Sequence, residues 1–446
     1  MTDFQIYLTI GVFAAVILLI AFDLIDMAVA ALLGVSVLIA FGILDGSDLM
    51  PIVHTASGPL ALLFGGMVVA RVIGKTGIFS WLGDAVLRAT GGSGKQLLLL
   101  IVALVAPVCA VLPNATAVIL VAPVIVGVCQ TLKVNFVGPL IITAIVSNAA
   151  GMLTLVGDPA TFVVGSAIGL SFIDHLRMVS LGGLLAILAV VPLLPRLLPE
   201  IWALRVTLPA ERPRVAIERP AFLALSLLVL VIMVVLFLIG ESLPTHIVPP
   251  AVAIIGAALA LLVVYGVRIE PVGEVIRDVD WKTIVFLGAI FTLVQAFIKT
   301  ELLQGLSIQI YHWFGGNFIA VALLSLAGIG VLSSLLANIP VVAAALVMIT
   351  GYFVAAGAVP EIALAVGFTD WPKATLPVFI AMMFGGTLGG NATLIGSSAN
   401  VVAVGICLAN GQRVTFMQFL RIGLPIAVVQ LSVGALYVWV LASMLG

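Results

Sequence analysis

Charged residues are scarce in this chain. Lysine, arginine, aspartate and glutamate make up 8% of its 446 residues, whereas 63% are hydrophobic and the net charge is −1. The mean hydropathy is +1.37, above that of water-soluble domains, and no basic surface for nucleic acid is indicated. Lipid is therefore the expected solvent, and we predict a polytopic membrane protein without a soluble domain.

Three further features are missing or rare. The three cysteines, Cys109, Cys129 and Cys407, have no C-x-x-C spacing, so neither a disulfide framework nor a metal site is predicted. No G-x-x-x-x-G-K-[ST] loop occurs, so ATP-driven transport would need a separate ATPase subunit. The first residues, MTDFQIYLTI, lack a basic region and a cleavage site, which indicates a retained membrane span and not a signal peptide.

Apolar runs of about 20 residues predict ten membrane crossings. They lie near 4–22, 27–44, 58–74, 138–170, 179–195, 221–240, 247–266, 281–298, 375–408 and 422–445. The apolar stretches 97–129 and 318–350 are too long for one crossing and are broken near their middle by LPNAT and LANIP. Each is predicted to be a re-entrant hairpin of two half-helices. We predict that segments 78–92 and 301–316 are interfacial helices.

The distribution of basic residues predicts the orientation. If both hairpins return to the side they came from, fifteen of the 18 lysines and arginines lie inside, as the positive-inside rule requires. Both termini are then outside the cytoplasm, in a bacterial-type inner (plasma) membrane. All four histidines, at positions 54, 175, 246 and 312, fall in predicted outside loops and are assigned no chemistry.

Internal repeats divide the chain into two halves. FGGMVVARVIGKTGIFSWLG (64–83) parallels LGAIFTLVQAFIKTELLQGL (287–306) at an offset of 224 positions, which also relates Asn114 to Asn338. TLVG (154–157) parallels TLIG (393–396) at an offset of 239. An odd number of crossings separates the copies, so we predict two inverted repeats, 1–195 and 221–446, joined by an arginine- and proline-rich cytoplasmic linker, 196–220. The expected fold is an all-α transporter.

Each predicted hairpin break contains an asparagine, in VLPNATAVI (111–119) and SSLLANIPVVA (333–343). Backbone that leaves a helix at membrane depth needs hydrogen-bond partners, which Asn114, Thr116, Asn338 and Ser334 can supply. The half-helices that follow also point free amide groups and a positive dipole end at the break. The breaks therefore predict a site for an anion or an electron-rich oxygen, unless the asparagines only cap the half-helices.

A second pair of breaks lies in SNAAGMLTLVGDPATFVVG (147–165) and GGTLGGNATLIGSSANVVAVG (385–405). Glycines let the chain unwind there, and carbonyl and neutral side-chain oxygens suit sodium. Close helix packing through small residues is the alternative. The candidate ion-binding residues are Ser147, Asn148, Gly151, Thr154, Gly157, Asp158, Ser334, Thr393, Gly396, Ser397 and Ser398.

Asp158 is an acid between Gly157 and Pro159 in an apolar segment, and Ser397 occupies the matching position of the second repeat. An ionisable group at membrane depth is costly and is a functional candidate by default. We predict that Asp158 binds the coupling cation, a proton or sodium, or carries a proton. Capping of a helix that begins at Pro159 is a compatible structural role.

Three stretches resemble the ion transporter superfamily, and most closely its branch of arsenite permeases and the pink-eyed-dilution P protein. They are SNAAGMLTLVGDPATFVVGSAIGLSF (147–172), GGTLGGNATLIGSSANVVAVGI (385–406) and VTFMQFLRIGLP (414–425). The resemblance implies a scaffold domain, a transport domain with two hairpins, elevator-like alternating access and a homodimer. Divalent-anion sodium symporters of this superfamily carry Ser-Asn-Thr at both hairpin tips, where this sequence has Pro-Asn-Ala (113–115) and Ala-Asn-Ile (337–339).

The sequence and the resemblance together predict a secondary transporter and not an enzyme. The leading hypothesis is arsenite-type efflux of a small anion or metalloid in exchange for protons, without a cofactor. The alternatives are a sodium-coupled dicarboxylate or citrate importer, a sodium/proton antiporter and an anion channel. The candidate substrate-binding residues are Asn114, Ala115, Thr116, Asn338, Ile339 and Asn391.

Overall fold

The computed structural model describes residues 2–21, 24–207, 216–300, 302–364 and 368–445. Residues 208–215 of the predicted linker lie outside the described residues. So do Phe22, at the end of the first predicted span, and Glu301, at the start of the second predicted interfacial helix.

The described chain up to residue 207 contains twelve α-helices. They are α1 (Asp3–Ala21), α2 (Met27–Ala40), α3 (Leu49–Gly74), α4 (Ile78–Thr90), α5 (Gly94–Cys109), α6 (Asn114–Thr131), α7 (Val137–Gly151), α8 (Pro159–Ala167), α9 (Phe172–Met178), α10 (Ser180–Leu188), α11 (Leu194–Leu197) and α12 (Pro199–Ala203). The last two lie within or beside the predicted linker, which therefore begins with helical residues.

The second repeat contains ten α-helices in its described part. They are α13 (Pro220–Ile239), α14 (Pro249–Val267), α15 (Val272–Arg277), α16 (Trp281–Lys299), α17 (Leu302–Phe314), α18 (Phe318–Leu335), α19 (Asn338–Ala355), α20 (Leu376–Gly389), α21 (Ser398–Ala409) and α22 (Phe416–Leu445). Ten helices of the described chain are long and apolar enough to cross a membrane. The predicted all-helical polytopic fold is confirmed.

The breaks lie where the sequence predicts them. The first hairpin is α5 and α6, separated by residues 110–113, and the second is α18 and α19, separated by residues 336–337. The predicted spans 138–170 and 375–408 are each two helices with an unwound segment between them. The predicted span 27–44 is shorter than expected, because α2 has 14 residues and so covers about 21 Å, less than the roughly 30 Å hydrocarbon core.

The buried apolar residues form two main cores, and each draws helices from both repeats. One core contains α5, α6 and α7 of the first repeat with α18, α19 and α20 of the second. The other contains α1, α2 and α3 with α13, α14 and α16. The two repeats are therefore interleaved, and neither has a hydrophobic core of its own.

Glycines allow the closest helix contacts in the first of these cores. A Cβ atom on Gly385 of α20 would lie 2.7 Å from the carbonyl oxygen of Leu326 in α18, and one on Gly389 would overlap Gly330. Small residues at such a contact let two backbones approach within a membrane. This packing holds α20 in the position from which it presents Thr387.

Two ion-pair clusters link α3 to its neighbours in the second core. Lys75, next to the end of α3, lies 3.0 Å from Glu270, which lies between α14 and α15. Lys299, at the end of α16, lies 2.9 Å from Asp48, which precedes α3. Lys299 also lies 3.3 Å from Asp45, whose pKa is lowered to about 2, chiefly by hydrogen bonds from Ser47 and then by Lys299. The two lysines are equivalent at the offset of 224, and each lies at the C-terminal end of its helix.

Candidate functional site

The two hairpin tips have the same backbone turn. Pro113 precedes α6 with φ −54° and ψ 136°, and Ala337 precedes α19 with φ −59° and ψ 137°. Asn114 and Asn338 are then the first residues of the two second arms. Neither hairpin helix has a side-chain cap from the residue before it. At the first tip the side-chain oxygen of Asn114 accepts a hydrogen bond from the amide of Ala115 at 2.8 Å.

The unwound segments after α7 and α20 contact these hairpins in equivalent ways. The hydroxyl of Thr154 donates to the carbonyl of Ala110, and the hydroxyl of Thr393 donates to the carbonyl of Ser334. These pairs are related by the offsets of 239 and 224. Residues related by the sequence offsets thus make matching hydrogen bonds between a hairpin and a broken helix.

Glycine is required where each unwound segment turns. A Cβ atom on Gly157 would lie 2.6 Å from the carbonyl oxygen of Cys109 and 2.7 Å from that of Gly151. One on Gly396 would lie 2.5 Å from the carbonyl oxygen of Gly390 and 2.9 Å from that of Ser333. A side chain at either position would push the segment away from its hairpin, so both glycines fix the position of the residue that follows.

Asp158 follows Gly157 and its side chain has no exposed surface. One carboxylate oxygen accepts hydrogen bonds from the amide of Thr161 at 3.0 Å, its hydroxyl at 3.2 Å and the hydroxyl of Thr387 at 3.1 Å. The other accepts from the side-chain amide of Asn114 at 3.2 Å. Asp158 therefore caps α8, as the Gly-Asp-Pro sequence predicts, but its partners in the described chain are neutral donors without a basic side chain.

Asn148, in α7, is the centre of the polar network around this acid. Its amide oxygen accepts from Asn114 at 3.0 Å and from the hydroxyl of Ser397 at 2.8 Å. Its amide nitrogen donates to the side chains of Asn391 at 2.8 Å and Asn400 at 3.1 Å. All five residues are buried, and the bonds join one hairpin tip to both unwound segments.

The network continues to the far side of the core. Asn391 donates to Gln430 of α22 at 2.8 Å, and Gln430 donates to the carbonyl of Ala186 in α10 at 3.1 Å. Asn400 donates to the carbonyls of Gly390 and Thr393 at 2.9 and 2.8 Å. Unwound backbone is thereby supplied with side-chain partners.

Four members of the network are absent from the predicted site: Thr161, Thr387, Asn400 and Gln430. The repeat offset of 239 contains a signal for three of them, because it relates Asn148 to Thr387 and Thr161 to Asn400. Gln430 is a polar residue within the apolar helix α22 and could have been noticed for that reason.

Equivalent residues of the two repeats bond across the repeats. Asp158 accepts from Thr387 of the second repeat, and Ser397, its counterpart, donates to Asn148, the counterpart of Thr387. The geometry is therefore two-fold, whereas the chemistry is not, because only one of the two capping residues can be charged.

The remaining predicted residues have more local contacts. Ser147 donates to Ala144 of its own helix, Ser334 donates to Val331, and Gly151 packs against the Cβ atom of Asp158. Ser398 is exposed, and Ala115, Thr116 and Ile339 are half-buried. Asn338 is 7% exposed and its side chain has no hydrogen bond within the described chain, so the two hairpin asparagines differ in their contacts.

The expected loop position of the histidines is wrong for three of the four. His54 lies in α3 and His312 in α17. His175 lies in α9 with no exposed surface, and its Nε2 atom is 3.0 Å from the carbonyl oxygen of Met152. His175 is buried because α8 and α9 meet at a bend of 109°, which folds the chain back onto the break after α7.

Comparison with known proteins identifies a family that this chain matches. Residues 17–369 match the family described as Citrate transporter, CitMHS. An uncharacterised transporter of Synechocystis sp. is 41% identical over 98% of both chains. An uncharacterised transporter of Mycobacterium tuberculosis is 30% identical over 96% of this chain and 97% of that protein.

Two more distant proteins are also similar. The human P protein is 26% identical over 99% of this chain and 60% of its own length. The crystal structure of the YdaH transporter of Alcanivorax borkumensis superposes with a TM-score of 0.57 at 14% sequence identity, over 90% of each chain. The second likeness is one of fold alone.

Proposed function

This chain belongs to the citrate transporter (CitMHS) family of the ion transporter superfamily, and we propose that it is a secondary active transporter that uses a cation gradient to move a small anion or metalloid. Arsenite-type efflux in exchange for protons is the form of the proposal that the site favours. The observation that carries it is Asp158, a fully buried carboxylate whose hydrogen-bond partners are neutral amides and hydroxyls.

Such a carboxylate can bind a proton, a cation or a substrate in turn, and so exchange one for another. A buried charge without a counter-charge is unstable, so Asp158 is stabilised by a proton, by a cation or by a ligand that donates hydrogen bonds. Arsenous acid is uncharged at neutral pH and presents three hydroxyl groups, which match the carboxylate of Asp158 and the amide groups of Asn114 and Asn148. If a proton and this ligand compete for one carboxylate, each displaces the other and their movements are coupled.

A multiply charged substrate suits this site less well. Its negative charges would lie beside Asp158 without a lysine or arginine hydrogen-bonded to the described network, and several co-bound cations would be needed. A sodium ion could be one of them, held by the oxygens of the candidate ion-binding residues. Sodium therefore remains the alternative coupling ion, and no cofactor is proposed.

Movement of the site is proposed to follow the elevator mechanism. The core that contains both hairpins would carry Asp158 across the membrane against the core of α1, α2, α3, α13, α14 and α16. Two inverted repeats, 1–195 and 221–446, would supply the alternate halves, and a homodimer would anchor the static core. We further propose that both termini lie outside the cytoplasm; any ATP-driven mode would require a separate ATPase subunit.

Flux into proteoliposomes tests the proposal. We expect saturable arsenite transport that is driven by an imposed proton gradient and falls at least tenfold in Asp158→Asn, which keeps the shape of the side chain but cannot ionise. Asp174→Asn is the matched control, because Asp174 is an exposed acid of α9 outside the network, and it should stay within twofold of the wild type. Wild-type flux no greater than that of protein-free vesicles would exclude arsenite.

Sodium-coupled import of citrate or a dicarboxylate is the second candidate, and the description of the matching family is compatible with it. Thermal stabilisation of the purified protein by citrate that requires sodium would select it. In the same vesicles, pH-dependent sodium flux without another solute would indicate a sodium/proton antiporter. Unitary currents in a planar bilayer would indicate an anion channel.

A further inference from the structure

A cavity of about 240 Å³ lies between the two hydrophobic cores. Helices α3 and α16 form one wall, and α8 and α19 form the other. Its described lining residues include no member of the polar network around Asp158. The cavity is therefore separate from the proposed transport site.

Four polar side chains that line this cavity have no hydrogen bond within the described part of the chain. His54 and Ser166 are exposed, Gln295 is half-buried and Thr350 is buried. Thr350 is the most informative, since it is only 9% exposed and lies inside α19, where a threonine hydroxyl commonly bonds to the carbonyl four residues earlier. Buried polar groups in proteins are nearly always paired. Of these four, Thr350 is the buried one, and its hydroxyl is left for a partner inside the cavity.

The rest of the lining is apolar or aromatic. Phe291, Phe368 and Trp371 contribute rings, and the ring of Trp371 is held 5.1 Å from that of Phe368 and 4.7 Å from that of Phe379. No lysine, arginine, aspartate or glutamate is among the described lining residues. A charged ligand would lose its hydration without gaining a counter-charge, whereas an aromatic body would contact rings already fixed in place.

We propose that this cavity binds an uncharged aromatic molecule of one or two rings that carries a hydrogen-bonding group. Its volume exceeds the roughly 150 Å³ of an engineered cavity that takes up benzene, so a bicyclic ligand fits. Thr350 and Gln295 are positioned to hydrogen-bond to the ligand, and the aromatic wall contacts its rings. The binding goes beyond the proposed function; only its consequence, that a ligand between the cores would hinder their relative movement, rests on that function.

The probe is 5-fluoroindole, titrated against the full chain in lipid nanodiscs and followed by ¹⁹F NMR, with empty nanodiscs to subtract partitioning into lipid. We expect saturable binding, at least tenfold tighter than that of the anionic probe 4-fluorobenzoate. Ala343→Trp fills the cavity and should weaken binding at least tenfold. Ala344→Trp is the matched control, because the next residue of α19 lines a different cavity, and it should stay within twofold of the wild type.

Thr350→Val tests the hydrogen bond with almost no change of volume, and it should weaken binding about three- to tenfold. Absence of saturable binding, equal affinity for the two probes, or unchanged affinity in Ala343→Trp overturns the proposal. If Ala343→Trp does not fold, as judged by size-exclusion chromatography, Thr350→Val decides, and unchanged affinity in that variant has the same consequence. None of these measurements involves transport, so failure here leaves the proposed function standing.

Discussion

Replacing Asn148 by leucine should remove the central hydrogen bonds of the polar network and lower the stability of the protein. Leucine has the same side-chain branching as asparagine but no polar atom, so the substitution removes four hydrogen bonds. Asn114 keeps a partner, because it also donates to Asp158. The amide oxygens of Asn391 and Asn400 lose their donor, and the hydroxyl of Ser397 loses its acceptor.

The expected loss of stability follows from these three orphaned groups. An unsatisfied buried polar group costs about 1–3 kcal/mol. Neighbouring groups relax and such costs are not additive, so we expect the free energy of unfolding to fall by about 3–6 kcal/mol, the lower part of the summed range. A loss of this size is a large fraction of the stability of a typical protein domain.

Unfolding of the purified protein by SDS titration in mixed micelles measures this loss. Ser147→Ala is the matched control in the same buried helix, since the hydroxyl of Ser147 donates to a carbonyl one turn away, and it should cost about 1 kcal/mol. An Asn148→Leu variant that loses no more stability than Ser147→Ala would refute the view that these amides hold the two repeats together.

The same titration checks two other predictions. Gly157→Ala places a methyl group 2.6 Å from a backbone oxygen and should lower the free energy of unfolding by about 1–3 kcal/mol. Gly127→Ala in α6 is the control, because an added Cβ atom there meets nothing within 4 Å, and it should be neutral or stabilising by up to about 1 kcal/mol. Equal effects of the two variants would contradict the crowding at Gly157. Lys299→Met leaves Asp48, whose side chain is 6% exposed, without its cation and should lower the free energy of unfolding by about 1–3 kcal/mol. Adding Asp48→Asn should restore at least half of that loss. Unchanged stability of the single variant would contradict the ion-pair role.

The sequence predicts the breaks in this fold better than the contacts they make. Gly-Asp-Pro specifies a capped helix start at Asp158, and matched asparagines specify the two hairpin turns, because these are local preferences of backbone and side chain. Pairing of Asp158 with Thr387 depends on how α20 packs, 229 positions away, and no local pattern contains that information. The same limit explains why Asn114 joins the network and Asn338 does not.

The ion pair between Lys299 of α16 and Asp48, which precedes α3, has a consequence for the order of synthesis. Asp48 and Lys299 are 251 positions apart. At a translation rate of about 5–20 residues per second, Asp48 is therefore synthesised roughly 13–50 s before Lys299. During that time α3 is complete but the helix that will pair with it has not been translated. Insertion of the first half must therefore yield a provisional arrangement that tolerates an unpaired Asp48 and is closed only when α16 arrives.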